Sequence, residues 1–140
     1  MIFLLDTDIL SNLQRGNERI VTRLRQVEAG DFAITLVTRI EILRGRFDHF
    51  LKAESAAELL RAQHFLLQSE AALQQLDIVP FDLTAAVEFD RLDKAGLSRK
   101  VGRADLIIAS IALSRKATLV TRNLRHFRQV PGLQVVNWMD

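Results

Sequence analysis

The chain contains no cysteine, so neither a disulfide framework nor a thiolate metal site is open to it, and its fold is indifferent to redox compartment. No apolar run approaches the roughly 18 residues of a membrane-spanning helix, and residues 2–5 are far too short a stretch for a signal-peptide core. A soluble, cytoplasmic protein that does not enter the membrane is the expectation. With two prolines and six glycines in 140 residues, we find no linker, repeat or low-complexity segment. That length suits one domain, spanning 1–140, that closes a hydrophobic core unaided. Acids are nearly missing from the last third. Over residues 98–139 Asp105 stands alone against Arg99, Lys100, Arg103, Arg115, Lys116, Arg122, Arg125 and Arg128. A net charge of +2 hides this asymmetry, which points to an anionic partner, most simply a nucleic-acid backbone. A basic face that only keeps the protein in solution is the alternative.

Short apolar runs alternate with helical patterns, the mark of an α/β fold built on a parallel sheet. Strands are expected at 2–5, 32–36, 77–79, 118–121 and 133–136. Helices are expected at about 9–14, 18–28, 38–46, 51–76, 83–95 and 103–116. Within the long helical segment, Leu59, Leu60, Phe65, Leu66, Leu67 and Leu73 make a broad apolar stripe, read mostly as core with a share left for a partner. His64 in that segment reads as a surface or groove residue.

Chemistry concentrates where these strands end. Ile2-Phe3-Leu4-Leu5 runs into Asp6-Thr7-Asp8, a buried strand delivering carboxylates to the sheet's carboxyl edge, where open α/β folds bind ligands. The alternative has Asp8 capping a helix near Ile9 while Asp6 lies in a solvated turn. Glu41 follows the second strand, in the first turn of its helix. There Thr38-x-x-Glu41 also matches a capping box, with Glu41 bonding back to the Thr38 amide. Asp105 opens a helix that is apolar on nearly every side, where a bare charge is costly unless paired. Complementing the helix dipole is its simpler role. After the fourth strand, Thr121-Arg122-Asn123 supplies a hydroxyl, a cation and an amide, although Asn123 also suits a plain turn.

Taken together, Leu4-Leu5-Asp6-Thr7-Asp8-Ile9-Leu10, Thr38-Arg39-Ile40-Glu41-Ile42-Leu43-Arg44-Gly45, Ala104-Asp105-Leu106-Ile107-Ile108-Ala109, Leu119-Val120-Thr121-Arg122-Asn123 and the ending Val130-Pro131-Gly132-Leu133 to Asn137-Trp138 resemble the PIN-domain family, most closely the VapC-type toxins of type II toxin–antitoxin pairs. The resemblance implies a three-layer α/β/α fold with a mainly parallel sheet of about five strands. It also implies a ribonuclease dependent on Mg2+, with Mn2+ as a substitute, usually a homodimer held inactive by a VapB-like antitoxin. By the same resemblance Asp6 and Asp105 match the metal-binding aspartates, with Glu41 the acid between them. Asn123 falls where the family often has a fourth acid, and Asp8 where it often has an amide. Asn123 carries no charge, so a second ion would be held less firmly.

The expected reaction is hydrolytic cleavage of an RNA phosphodiester. Asp6 and Asp105 hold the ion, Glu41 holds water or helps activate the nucleophile, and Asn123 completes the site. Thr7, Arg99, Arg103, Thr121 and Arg122 are the expected substrate contacts, positioning RNA without reading its sequence. A non-catalytic PIN module that binds RNA or a protein is the alternative. A haloacid-dehalogenase-type phosphatase also opens on Asp-x-Asp, but beyond Thr121 this chain has no lysine, and no acid until Asp140. A response-regulator receiver fails as well, because no central strand ends in a phosphoacceptor aspartate with a lysine after a later one.

Overall fold

A computed structural model describes residues 2–140. The chain runs β1 (Phe3–Leu5), α1 (Thr7–Gln14), α2 (Glu18–Arg25), β2 (Phe32–Thr35), α3 (Leu36–Lys52), α4 (Ala56–Gln74) and β3 (Ile78–Val79). It continues through α5 (Leu83–Lys94), α6 (Leu97–Val101), α7 (Arg103–Ser114), β4 (Thr118–Val120), α8 (Leu124–Phe127) and β5 (Gln134–Val136). All five strands are parallel, in the order β3-β2-β1-β4-β5. Pairing steps outward from β1 to β2 to β3, then crosses to β4 on the other flank of β1. The chain therefore reverses direction across the sheet between β1 and β4, and a crevice opens there at the strands' carboxyl ends.

Side-chain alternation divides the core between the two faces of the sheet. Leu4, Ala33 and Leu119 pack with Ala85 of α5 and with Ile108, Ile111 and Ala112 of α7. Their neighbours Leu5, Ile34 and Val120 pack with Ile9, Leu10, Ile20 and Leu73 of α1, α2 and α4. Strands whose successive residues all find apolar cover must be sandwiched, which is why these runs read as continuous rather than alternating. The result is the expected three-layer architecture. A further cluster of Leu92, Leu97, Val101, Leu106, Ala109 and Val130 ties α5 and α6 to the outer side of α7.

Two expectations about the helices need correction, and two helices were not expected at all. Residues 51–76 are not one helix: α3 runs on to Lys52, and α4 starts afresh after Ser55, whose hydroxyl accepts from the Glu58 amide at 3.1 Å. The Glu58 carboxylate reaches back to the Glu54 amide at 3.1 Å, so the local stop signal outweighs the helix-forming composition around it. The stripe on α4 is mostly not core. Leu73 and Ala62 are buried, whereas Leu60 and Leu67 are 68% and 59% exposed. Finally, α6 and α8 are single short helices that periodicity does not reveal, since five and four residues show too little of a 3.6-residue repeat.

Candidate functional site

Asp6 sits on the seam where the sheet reverses. Leu5 pairs with Val120, and one residue further the Asp6 amide donates to the Val120 carbonyl at 3.0 Å. Helix α1 begins at once: Oδ1 of Asp6 accepts from the Ile9 amide at 2.9 Å and caps the helix. Asp6 is therefore the cap and Asp8 is not, which reverses the alternative drawn from the sequence. The strand ends at Leu5 as expected, but the helix begins at Thr7, two residues earlier than that alternative requires, so the first free carboxylate meets the amides of the first turn. The cap occupies one oxygen of Asp6, while the side chain of Thr121, fully buried at the end of β4, also bonds this carboxylate. Thr121 is itself fixed, its amide donating to Val136 at 2.9 Å and its hydroxyl accepting from the Asn123 amide at 3.0 Å.

Burial raises the Asp6 carboxyl above its ordinary value; the bonds from Thr121 and Ile9 oppose this, and the negative charges of Asp8 and Asp105 add to it. The protein thus holds a carboxylate in a place where its charge is unfavourable and where other carboxylates make it more so. Asp8 itself is exposed. One oxygen lies 3.3 Å from the Asn12 amide nitrogen, and the other faces the Arg122 guanidinium at 3.4 Å.

Glu41 belongs to the second turn of α3, not the first, and the capping box is absent. Thr35, the last residue of β2, caps α3 by accepting from the Thr38 amide at 3.3 Å. Thr38 is buried inside the helix, and its hydroxyl donates to the Thr7 hydroxyl oxygen at 3.3 Å, leaving the Thr7 hydrogen for another acceptor. Thr7 donates it to Oε1 of Glu41 at 2.7 Å. The residue next to Asp6 thereby anchors an exposed carboxylate that arrives from a different element.

Asp105 stands in the first turn of α7, a helix with six buried residues out of twelve. Its partner is one that sequence reasoning missed: Nε2 of His126 lies 2.9 Å from Oδ2 of Asp105 and 2.9 Å from the Val101 carbonyl. The usable signal was Phe127, which is core, so that its neighbour in a one-turn helix must face elsewhere. Asn123 is exposed at the start of α8 and makes no side-chain cap. With Arg125, His126 and Gln129 it lines an open hollow of about 500 Å³. Arg99, Arg103 and Arg122 are all exposed, and Arg103 lies over the Phe89 ring at 5.9 Å.

The fold thus couples Asp6 to Asp8 and Asp105 through their charges, Asp6 to Thr121, and Thr7 to Glu41. Among the described residues it brings no three histidine or carboxylate side chains close enough to cage an ion. Mg2+ does not require a cage, since it retains several waters and is commonly held by one or two carboxylates together with substrate phosphate. An all-oxygen donor set carrying unfavourable negative charge fits such a hard cation.

A family model described as the PIN domain matches residues 3–133. The tRNA(fMet)-specific endonuclease VapC of Salmonella typhimurium is 29% identical over 140 residues, with 97% of each chain covered. DNA-bound VapBC from Salmonella typhimurium superposes with a TM-score of 0.76 at 27% identity, over 99% of this chain and 98% of that one. VapBC2 from Rickettsia felis, bound to a DNA fragment from its promoter, gives 0.74 at 27% identity over 99% of both. No helix among the described residues is long and apolar enough to cross a membrane. On sequence and fold alike, the chain belongs to the PIN domain family.

Proposed function

We propose that this chain is a divalent-metal-dependent endoribonuclease and the toxin of a toxin–antitoxin pair, acting as one domain in the cytoplasm. The observation that carries the reading is Asp6: a half-buried carboxylate, capped and bonded on the seam of the sheet, with the charges of Asp8 and Asp105 acting on it. Asp6 and Asp105 hold Mg2+, for which Mn2+ substitutes. When bound, the ion supplies charge stabilisation to the scissile phosphate and lowers the pKa of attacking water.

The remaining roles belong to the chain's own groups. Glu41, positioned by Thr7, takes the proton of the attacking water. Thr121 fixes the orientation of the Asp6 carboxylate, and Asn123 offers an uncharged amide to the phosphate beside it. Arg99, Arg103 and Arg122 draw the RNA backbone to the crevice without reading its bases. A VapB-like antitoxin and a second copy of the chain are the expected protein partners. Exposed Leu60 and Leu67 on α4, with Leu83 and Val87 on α5, offer them apolar ground.

Incubating the protein with single-stranded RNA in Mg2+ and in EDTA tests the proposal. Cleavage that needs the metal supports it. A non-catalytic PIN module, the reading favoured by the uncharged Asn123, leaves RNA intact in both and binds no metal through Asp6.

A further inference from the structure

His126 is not among the residues to which the proposed nuclease reaction gives a role, yet its ring is hydrogen-bonded to Asp105. Nε2 lies 2.9 Å from two oxygens, the Val101 carbonyl and Oδ2 of Asp105. A carbonyl oxygen only accepts, so Nε2 carries the hydrogen and shares it between the two. The turn that carries the ring is itself fixed on one side and open to the hollow on the other. The ring stands edge-on to Phe127 with centroids 5.3 Å apart, and the His126 carbonyl accepts from the Gln129 side chain at 3.1 Å. Phe127 is 2% exposed, which fixes the turn of α8 that carries the histidine.

The facing wall is equally defined. Gly102, with φ 84° and ψ 160°, breaks the chain between α6 and α7. That backbone is open only to glycine, and it presents the Val101 carbonyl at the end of one helix and Asp105 at the start of the next to a single donor. Three elements, α6, α7 and α8, therefore meet at one hydrogen.

We infer that His126 is a positioning residue for the proposed metal site: its Nε2–H, anchored on the Val101 carbonyl, holds Oδ2 of Asp105 and leaves Oδ1 as the oxygen offered to the ion. The inference rests on the metal reading above. A carboxylate held by one oxygen is oriented for single-oxygen ligation and loses less rotational freedom when the ion binds. Partners of this kind typically contribute 10–100-fold in metal affinity.

The readout is Mn2+ affinity of the full chain without RNA, measured by titration calorimetry and by electron paramagnetic resonance. His126→Phe keeps a ring against Phe127 but has no donor, and weakens Mn2+ binding on the order of 10–100-fold. His126→Gln places an amide N–H near the former Nε2 and restores affinity close to that of the wild type. Asp6→Asn and Asp105→Asn, run beside them, lose binding altogether. Wild-type affinity in His126→Phe beside loss in the two aspartate variants overturns the positioning role alone. Wild-type affinity in all of them overturns the metal reading and the positioning role together.

A measurement on the unmutated protein keeps the question open to refutation should His126→Phe fail to fold. Nitrogen-15 resonances of His126 are expected to show the Nε2–H tautomer and to shift when Mg2+ is added. An Nδ1–H tautomer, or resonances that ignore Mg2+, contradicts the inference.

Discussion

The Thr7 hydroxyl donates to Oε1 of Glu41 at 2.7 Å, tying the first turn of α1 to the second turn of α3 across the edge of the crevice. The bond separates the charge of Glu41 from its placement, and two substitutions exploit this. Glu41→Gln keeps the acceptor, so unfolding free energy changes by less than about 0.5 kcal/mol. Its cleavage rate constant falls on the order of a hundredfold or more, because the proton acceptor is gone. Thr7→Val keeps the charge and loses the anchor, and turnover falls about tenfold, the equivalent of one hydrogen bond to a charged group. Single-turnover cleavage of labelled RNA measures both.

Asp6 makes stability depend on pH in a definite sense. Its folded-state value is raised, so between the ordinary carboxylate value and the folded one the native state binds more protons than the unfolded chain. Stability from this group is fully present below that window and is lost as pH rises through it. Asp6→Asn retains a good helix cap and has no charge to lose. We expect this variant, in EDTA at neutral pH, to melt above the wild type, with the two curves converging at acid pH. Mg2+ raises the wild-type Tm by mass action and leaves that of the variant unchanged. Thermal unfolding by circular dichroism over a pH series measures each part.

How far the site was legible in the sequence depended on whether the deciding contact was local. Leu5 and Asp6 were legible because an apolar run ending in an acid needs no knowledge of its neighbours. The fold class followed from alternation, but the strand order did not, because no local signal says that β4 pairs with β1. The Glu41 pattern was seen and its mechanism misread. Thr35 and Thr38 are both capable caps, and the end of β2 chose Thr35, turning Thr38 inward and Glu41 toward Thr7. The matching signal at Ser55 and Glu58 was masked by the alanines and leucines beside it. His126 escaped because its partners lie 25 and 21 residues back, beyond a glycine whose conformation is a property of the fold.

Gly102→Ala tests that glycine. No neighbouring atom lies within 4 Å of the added carbon, so the cost is purely conformational. A residue forced into this region loses about 1–3 kcal/mol, visible as a lower urea midpoint with an unchanged m value.

Arg122 separates steering from chemistry. Its guanidinium sits 3.4 Å from Asp8 with both side chains more than half exposed, so removing it costs little stability. Arg122→Ala weakens RNA binding alike for all sequences, and the slope of log affinity against log salt becomes shallower by about 0.7, the loss of one phosphate contact on a single strand. Filter binding at several salt concentrations gives the slope.

Whether Asp6 and Asp105 hold the catalytic ion is decided by Mg2+-dependent RNA cleavage by Asp6→Asn and Asp105→Asn, each first shown to be folded by circular dichroism. Both are predicted to leave RNA intact at Mg2+ concentrations at which the wild type cleaves it to completion. Undiminished cleavage by either folded variant means that the aspartate replaced does not hold the catalytic ion.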